Sequence, residues 1–325
     1  MRTRPLGPSA LDVSVICLGT MTFGWTTDEA QSFAVMNEAL DRGVNFFDTA
    51  NMYSRWSTDS HAGKTEEIMG RWFAQDPSRR ARVILASKVR GQMSDRADDQ
   101  GLSARHIREQ IDASLRRLQT DHLDLYQSHW WDADAPVDET LRAFEDIVRS
   151  GKARAIGCSN FDAAQLQTSL DASKRLGVAS YASLQPHYNL LQRSAFERAT
   201  RAVITTNGLG VIPYSPLAGG FLTGKYSRGA APPAGTRGEQ SQRIKTYLAD
   251  ERAFDVIDAA AAIAKSRGAT TAQIALSWVI DAPAITSAIV GANTVAQLRE
   301  VLPAAELSLS TEERRRLDEA SAWSA

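Results

Sequence analysis

The sequence predicts a single domain over residues 1–325, an α/β fold of the (β/α)8 or TIM barrel class. First, amphipathic helical stretches alternate with apolar runs, an order typical of a parallel sheet with surrounding helices. Second, the apolar runs number eight, and eight parallel strands close into a barrel. Third, the first run leads into GTMTFG, whereas a doubly wound sheet would carry GxGxxG there. We also expect a short N-terminal hairpin and extra C-terminal helices.

The elements repeat one local pattern along the chain. In 136–150, Pro136 suits the first helical turn, apolar residues recur at helical spacing, and Gly151 ends the helix before the next apolar run. Glycine also precedes apolar runs at Gly43, Gly177 and Gly208. We predict strands near 14–19, 44–48, 83–87, 123–127, 153–157, 181–185, 209–213 and 286–290. The stretch 226–250, rich in glycine and proline, is predicted to be a long loop.

Composition narrows the function to small-molecule chemistry. The chain has 37 basic and 38 acidic residues and a net charge of -1, so no electrostatic field would attract nucleic acid or an anionic membrane. No run approaches the roughly 20 apolar residues that a membrane span requires. The two cysteines, Cys17 and Cys158, have no CxxC spacing, which favours a reducing cytoplasmic setting. Without HExxH or a carboxylate cluster, we expect no metal site.

Reactive side chains follow the predicted strands where they end. Asp48, Lys88 and His129 come after three of them, and Ser159, Asn160, Gln185 and Tyr214 after three more. Barrel enzymes carry their chemistry at the rim formed by these carboxyl ends. The set suits carbonyl reduction, which needs a proton donor for the nascent alkoxide and a source of hydride.

The four reactive residues have distinct predicted roles in that chemistry. Tyr53 would donate the proton, with a pKa lowered by about two units from its usual value near 10. A lysine at contact distance shifts a pKa by about one to three units, so Lys88 would lower the pKa of Tyr53, and Asp48 would be the lysine's counterion. His129 would hydrogen-bond the substrate carbonyl or share the proton transfer.

Five segments together resemble the aldo-keto reductases. They are FFDTANMY (46–53), LASK (85–88), LDLYQSHW (123–130), IGCSNF (156–161) and IPYSPLAGGFLTGKY (212–226). The resemblance covers nearly the whole chain and keeps the family's motif order. It implies a (β/α)8 barrel that binds NADPH in an extended form without a Rossmann domain, and it implies Asp48, Tyr53, Lys88 and His129 as the catalytic tetrad.

The resemblance also implies residues for each part of the cofactor. Ser159, Asn160 and Gln185 would hold the nicotinamide carboxamide, Tyr214 would stack on the nicotinamide ring, and Ser215, Leu217, Gly219 and Lys225 would line the pyrophosphate. The adenosine end would meet Gly291, Asn293, Thr294, Gln297 and Glu300, and Gly19, Thr20, Met21 and Asp48 would complete the cofactor site. Many relatives have a cation where Gly291 or Asn293 stands and an asparagine where Val301 stands. Thr294, Gln297 and Arg299 still favour NADPH over NADH.

Substrate and rival functions stay open at this point. Trp25, Trp56, Trp130 and Trp131 fall in predicted rim loops and would wall a pocket for a small aldehyde or ketone, a keto sugar included. A barrel lyase would use Lys88 as a Schiff base. A glycosidase would pair Asp48 with Asp132. A regulatory subunit would bind the cofactor and turn over slowly. The sequence does not define the oligomeric state.

Overall fold

A computed structural model describes residues 1–236, 238–239 and 241–323. An antiparallel hairpin comes first, formed by β1 (Thr3–Pro5) and β2 (Asp12–Ser14). Eight parallel strands follow: β3 (Ile16–Gly19), β4 (Phe46–Asp48), β5 (Ile84–Val89), β6 (Leu123–Ser128), β7 (Ala153–Ser159), β8 (Tyr181–Gln185), β9 (Gly210–Val211) and β10 (Ala288–Gly291). They lie side by side in the order β10, β3, β4, β5, β6, β7, β8, β9. All eight coincide with the predicted runs.

The sheet closes between β9 and β10 through a few hydrogen bonds. The backbone N–H of Ile289 donates to Pro213 O at 2.9 Å, and that of Thr286 donates to Val211 O at 2.8 Å. A single parallel bridge joins Tyr214 to Ile289. The ladder is short on this side because Pro213 has no N–H to donate. The predicted (β/α)8 barrel with its N-terminal hairpin is therefore confirmed.

Helices pack around the strands. They are α1 (Glu29–Asp41), α2 (Lys64–Gln75), α3 (Ser78–Arg82), α4 (Ala104–Leu118), α5 (Val137–Arg149), α6 (Ala163–Leu176), α7 (Arg201–Asn207), α8 (Gln242–Leu248), α9 (Glu251–Arg267), α10 (Thr271–Ile280), α11 (Val295–Val301) and α12 (Thr311–Ala320). The prediction of a continuous loop over 226–250 is wrong in its second half, where α8 begins after Ser241, whose Oγ accepts from Ile244 N. No helix among the described residues is long and apolar enough to cross a membrane.

The N-terminal hairpin packs against the barrel strands and shares an apolar cluster with them. Leu6 and Val13 are fully buried and belong to the same apolar cluster as Phe46 and Leu125, which lie on barrel strands. The turn fits tightly, because a Cβ added to Gly7 would lie 2.3 Å from Ala182 O. A larger cluster fills the layer between strands and helices. Burying these apolar surfaces supplies the main driving force for folding.

A close approach between α2 and α4 yields a stability prediction. A Cβ on Gly70 would lie 2.0 Å from the backbone oxygen of Arg117. Gly70→Ala should therefore lower the free energy of unfolding by about 1–3 kcal/mol through overpacking, although helix propensity alone would raise it by about 1 kcal/mol. Urea unfolding measures the difference. Ala74→Gly, at an exposed position of α2, gives the propensity effect alone. A stabilised Gly70→Ala variant would contradict the close packing.

Candidate active site

The carboxyl end of the barrel brings the four predicted catalytic residues together. Asp48 ends β4, Lys88 lies near the end of β5, and His129 follows β6. Tyr53 lies in the loop after β4. All four side chains are almost completely buried, with Tyr53 the most accessible at 9%. Parallel strands end at one rim, which explains how residues far apart in sequence meet here.

The Lys88 ammonium group is the centre of the cluster. Its Nζ donates to Asp48 Oδ2 at 2.5 Å, to Tyr53 Oη at 3.0 Å and to the backbone oxygen of Thr49 at 2.9 Å. An ammonium group has three N–H donors, and each has an acceptor here. Burial by itself lowers the pKa of Lys88, but the charge of Asp48 and the contact with Tyr53 outweigh it and raise that pKa. Lys88 is therefore a fixed cation.

Asp48 is held on its other oxygen by two glutamines. Oδ1 accepts from Gln127 Nε2 at 3.1 Å and from Gln185 Nε2 at 2.9 Å. The sequence prediction missed Gln127. Its signal was a polar residue inside the apolar run LDLYQS, and a buried amide of this kind needs a partner. Together the donors fix the carboxylate in one orientation.

Tyr53 differs from the prediction in its acidity. Burial raises the pKa of Tyr53, and the charge of Lys88 lowers it without reversing the net effect. The predicted lowering of this pKa is therefore wrong for the structure as it stands, because desolvation of a phenolate at this depth exceeds the attraction of one lysine. Tyr53 is protonated near neutral pH, and because its oxygen accepts from Lys88, its own O–H can point elsewhere.

His129 is held as a neutral imidazole. Burial lowers the pKa of His129 well below its usual value, and the charges of Lys88 and Arg90 add to this. Its ring stacks on Trp130 with centroids 3.7 Å apart, and its backbone N–H donates to Val89 O at 2.9 Å. Within the described part of the chain, Nδ1 is buried without a hydrogen-bond partner. A neutral imidazole keeps one N–H that can donate to a ligand oxygen.

These pKa directions give a pH prediction. The pKa of His129 lies well below its usual value near 6.5, whereas the pKa values of Tyr53 and Lys88 lie above their usual values near 10. We therefore expect kcat/KM for carbonyl reduction to be flat from about pH 6 to about pH 9 and to fall only as Tyr53 deprotonates. The profile should be measured with NADH as well as NADPH, because a phosphate monoester titrates near pH 6. An acid limb near 6.5 that disappears in His129→Gln would contradict the prediction.

The predicted nicotinamide residues lie beside the cluster. Ser159 Oγ donates to Gln185 O at 2.9 Å, and Asn160 Nδ2 donates to His129 O at 3.0 Å. Asn160 Oδ1 accepts from Tyr214 Oη at 2.9 Å. Ser159, Asn160, Gln185 and Tyr214 thus form one connected group with His129.

One face of the Tyr214 ring is covered by a neighbouring ring. His187 stacks on it with centroids 5.0 Å apart and ring planes 7° apart. Burial, with the charge of Arg243, lowers the pKa of His187 to about 4, so this partner is neutral. A ligand ring that stacks on Tyr214 would therefore use the face opposite His187.

A strained turn follows Tyr214. Ser215, Ala218, Gly219 and Gly220 have φ values of 54°, 51°, 70° and 94°. Side chains disfavour this left-handed region, and runs of such residues turn backbone N–H groups into anion-binding concavities. A Cβ on Gly220 would lie 3.1 Å from Lys225 Nζ. A left-handed turn with one cation beside it would fit a pyrophosphate group, and Ser215, Leu217, Gly219 and Lys225 remain the residues predicted to bind it.

The residues predicted to meet the adenosine end of the cofactor offer less available positive charge than those predicted to meet the pyrophosphate. Gln297 is engaged locally, since its Oε1 accepts from Asn293 N at 2.8 Å and its N–H donates to Thr294 Oγ1. Arg299 forms two hydrogen bonds of 2.8 Å with Glu38, so it does not provide the free cation that favoured NADPH. Gly291 and Glu300 are exposed nearby.

The residues after β3 belong to the rim. Thr20 is fully buried, and both its N–H and its Oγ1 donate to Asp48 O, at 3.0 and 2.9 Å. Gly19 packs closely on Ile289, whose Cγ2 would be 2.6 Å from an added Cβ. Met21 is 37% exposed at the mouth. Thr20 therefore fixes the backbone of Asp48, and Met21 offers an apolar surface to a ligand.

Three of the four predicted tryptophans form a wall. Trp25 and Trp56 meet edge to face at 5.8 Å, and Trp56 contacts Tyr53 at 5.9 Å. Trp130 covers His129. Trp131 instead packs edge to face on Phe161 at 5.3 Å within the core layer. Trp56 therefore borders Tyr53, with Trp25 packed on its outer side, and Trp130 borders His129. Trp131 supports the loop from behind.

The geometry disfavours the lyase and the glycosidase. A Schiff base needs a neutral amine, whereas every N–H of Lys88 is bonded and its charge is stabilised by Asp48. Asp132, the second carboxylate of the glycosidase hypothesis, accepts from Leu102 N at 2.7 Å and from Asp134 N at 3.2 Å. Among the described residues no group of three or more potential ligands could hold a metal ion.

Comparison with known proteins places the chain in a family. Residues 15–322 match the model of the Aldo/keto reductase family. The chain is 42% identical to the uncharacterized oxidoreductase YrpG of Bacillus subtilis (strain 168), over 97% of this chain and 94% of the relative. It is 37% identical to Protein tas of Escherichia coli (strain K12), over 93% and 92%. It is 33% identical to a probable voltage-gated potassium channel subunit beta of Arabidopsis thaliana, over 94% and 92%. The chain therefore belongs to the aldo/keto reductase family.

Proposed function

We propose that the protein reduces an aldehyde or ketone to the alcohol, with NADPH or NADH as the hydride donor and Tyr53 as the general acid. The observation that carries this proposal is the arrangement around Lys88 Nζ, which donates to Asp48 and to Tyr53 at once. Such an arrangement prepares a phenol to lose a proton while the cation beside it stays in place.

Tyr53 provides the proton in this reaction. Lys88 donates to Tyr53 Oη, so the phenol O–H is free to donate to the substrate oxygen. As that oxygen gains negative charge, the proton moves from Tyr53 Oη to it, and Lys88 stabilises the phenolate left behind. Asp48, held by Gln127 and Gln185, keeps the ammonium group in position. His129 donates its imidazole N–H to the same substrate oxygen and sets its angle.

The bound cofactor would supply a hydride to the carbonyl carbon. Ser159, Asn160 and Gln185 would hold its carboxamide, and Tyr214 would stack on its ring. The left-handed turn and Lys225 would hold the pyrophosphate. With a substrate bound, the apolar wall of Trp25, Trp56 and Trp130 would shield the reacting atoms from water, which would strengthen the hydrogen bonds made there.

The direct test is nicotinamide oxidation followed at 25 °C over a panel of aldehydes, ketones and keto sugars. We expect carbonyl-dependent consumption of NADPH with a stoichiometric yield of alcohol. Absence of turnover on every compound, combined with tight NADPH binding, would instead support a regulatory role. That second candidate is favoured by the relative named as a probable potassium channel subunit beta.

Two matched substitutions test the cofactor contacts. Lys225 lies close to Gly220 and forms no ion pair with any described residue. We therefore expect Lys225→Gln to raise the KM for NADPH and for NADH by about tenfold, which is the usual effect of losing one charge-assisted contact. Arg299 is paired with Glu38, so Arg299→Gln should change the KM for NADPH by less than about threefold. A selective loss of NADPH binding in Arg299→Gln would show that Arg299 leaves Glu38 for the 2'-phosphate.

A further inference from the structure

Arg90 lies at the mouth of the barrel between two catalytic segments. It directly follows β5, two residues after Lys88. The preceding residue, Val89, accepts the backbone N–H of His129 at 2.9 Å. The following residue, Gly91, lies against Met52, since an added Cβ would be 2.2 Å from Met52 Sδ. Met52 directly precedes Tyr53, so the backbone at Arg90 is fixed between the segments that carry Tyr53 and His129.

The backbone of Arg90 is held in a conformation that side chains disfavour. Its φ is 121°, and its carbonyl oxygen accepts from Gly101 N at 2.9 Å. Glycine would adopt this conformation without strain, whereas a residue with a Cβ persists there only when its surroundings fix it. Strain of this kind concentrates at ligand-binding sites.

The charge of Arg90 has no counterion in the part of the chain that the structure describes. Its Nε is buried without a hydrogen-bond partner, and Arg90 forms none of the described ion pairs. Four aspartates of the rim loops have other partners: Asp95 pairs with Arg55, Asp98 with Arg96 and Arg105, Asp99 with Ser94, and Asp132 with the backbone of Leu102 and Asp134. A guanidinium with a buried Nε normally needs an acceptor.

The other charges at the mouth are already balanced. Lys88 is neutralised by Asp48 at 2.5 Å, and His129 is kept neutral by burial and by the charges of Lys88 and Arg90. Arg90 is next to Val89, which binds the backbone of His129, and the Arg90 charge contributes to the lowered pKa of His129. An anion bound there would therefore complete the charge balance.

We propose that Arg90 binds a carboxylate carried by the carbonyl substrate, so that the preferred substrates are aldehydes or ketones with an acidic group. This inference rests on the proposed reduction and names its substrate class. A carboxylate suits a single guanidinium, which offers two parallel N–H donors. The tryptophan wall beside Tyr53 and His129 suits a flat ring between the carbonyl and the carboxylate.

The test compares charged and neutral substrates of the same shape. The probes are meta- and para-carboxybenzaldehyde, each with its carbamoyl counterpart. For at least one isomer we expect kcat/KM to be about tenfold or more higher for the carboxylate, the usual effect of a charge-assisted hydrogen bond. In Arg90→Gln this ratio should fall to near one, and Arg90→Lys should keep part of it. Arg90→Gly, which suits the backbone at this position, should lose the ratio without disturbing the fold.

A charge-matched control comes from the same loop. Arg96→Gln removes a cation that pairs with Asp98 on the exposed surface, and it should keep the wild-type ratio. A wild-type ratio near one for both isomers, or a ratio that persists in both Arg90→Gln and Arg90→Gly, would overturn the proposal.

A binding measurement separates this inference from the proposed reaction. Tryptophan fluorescence reports the binding of para-(hydroxymethyl)benzoate and its amide in the presence of NADP⁺, with no turnover required. We expect the benzoate to bind about tenfold more tightly, and the difference to vanish in Arg90→Gln. Equal affinities would overturn the anion site. A charge preference in binding without reduction of any carbonyl would support the anion site and refute the proposed reduction.

Discussion

Tyr53→Phe should lower kcat for carbonyl reduction by at least about a hundredfold, the usual contribution of a general acid, and leave the dissociation constant of NADPH unchanged. The substitution removes the phenol oxygen, which accepts a hydrogen bond from Lys88. It keeps the ring, which packs on Trp56 and His129. Steady-state kinetics and fluorescence titration with NADPH measure the two quantities.

Tyr126→Phe is the matched control for this experiment. The Tyr126 hydroxyl is buried on β6 and, among the described residues, has no hydrogen-bond partner. Its removal should therefore leave kcat within about twofold, because no hydrogen bond is lost. Undiminished turnover in Tyr53→Phe would refute the role of Tyr53 as the proton donor.

Lys88→Met should have two large effects. It leaves the Asp48 carboxylate buried without its cation, which should lower the free energy of unfolding by about 3–5 kcal/mol. It also removes the donor that stabilises the Tyr53 phenolate, so kcat should fall by at least about a hundredfold. Urea unfolding and steady-state kinetics follow the two losses.

The double variant Lys88→Met with Asp48→Asn distinguishes stability from catalysis. Replacing the carboxylate removes the unpaired charge, so most of the lost stability should return while kcat stays low. Recovery of kcat together with stability would mean that the ion pair only supports the fold.

The rim residues could be predicted from sequence because each follows an apolar run, and the carboxyl ends of parallel strands meet at one edge. Asp48, Lys88 and His129 meet for this reason. Gln127 was missed because it lies within a buried strand, where only the three-dimensional contact with Asp48 explains a polar side chain. The helix α8 was missed because the glycines and prolines before it dominate the composition of 226–250.

Charge and acidity were harder to predict than position. The pairing of Arg299 with Glu38 joins residues at opposite ends of the chain, and no local pattern records it. The pKa of Tyr53 depends on how deeply the phenol is buried, which is a property of the folded molecule. The absence of a counterion for Arg90 among the described residues could not be predicted, because it depends on which partners the neighbouring aspartates have in the folded protein.

The junction between β9 and β10 has a consequence for the movements of the barrel. The strands β5, β6 and β7 on the far side of the barrel are joined by continuous parallel ladders, whereas this junction rests on a few backbone hydrogen bonds and a single bridge at Tyr214. Local unfolding costs the least free energy where the fewest hydrogen bonds must break, so we expect the barrel to open transiently at this junction first. Tyr214 is part of this junction, so a ligand stacked on its ring would also restrain the transient opening. The rate of ligand release would then be coupled to the rate at which the junction opens.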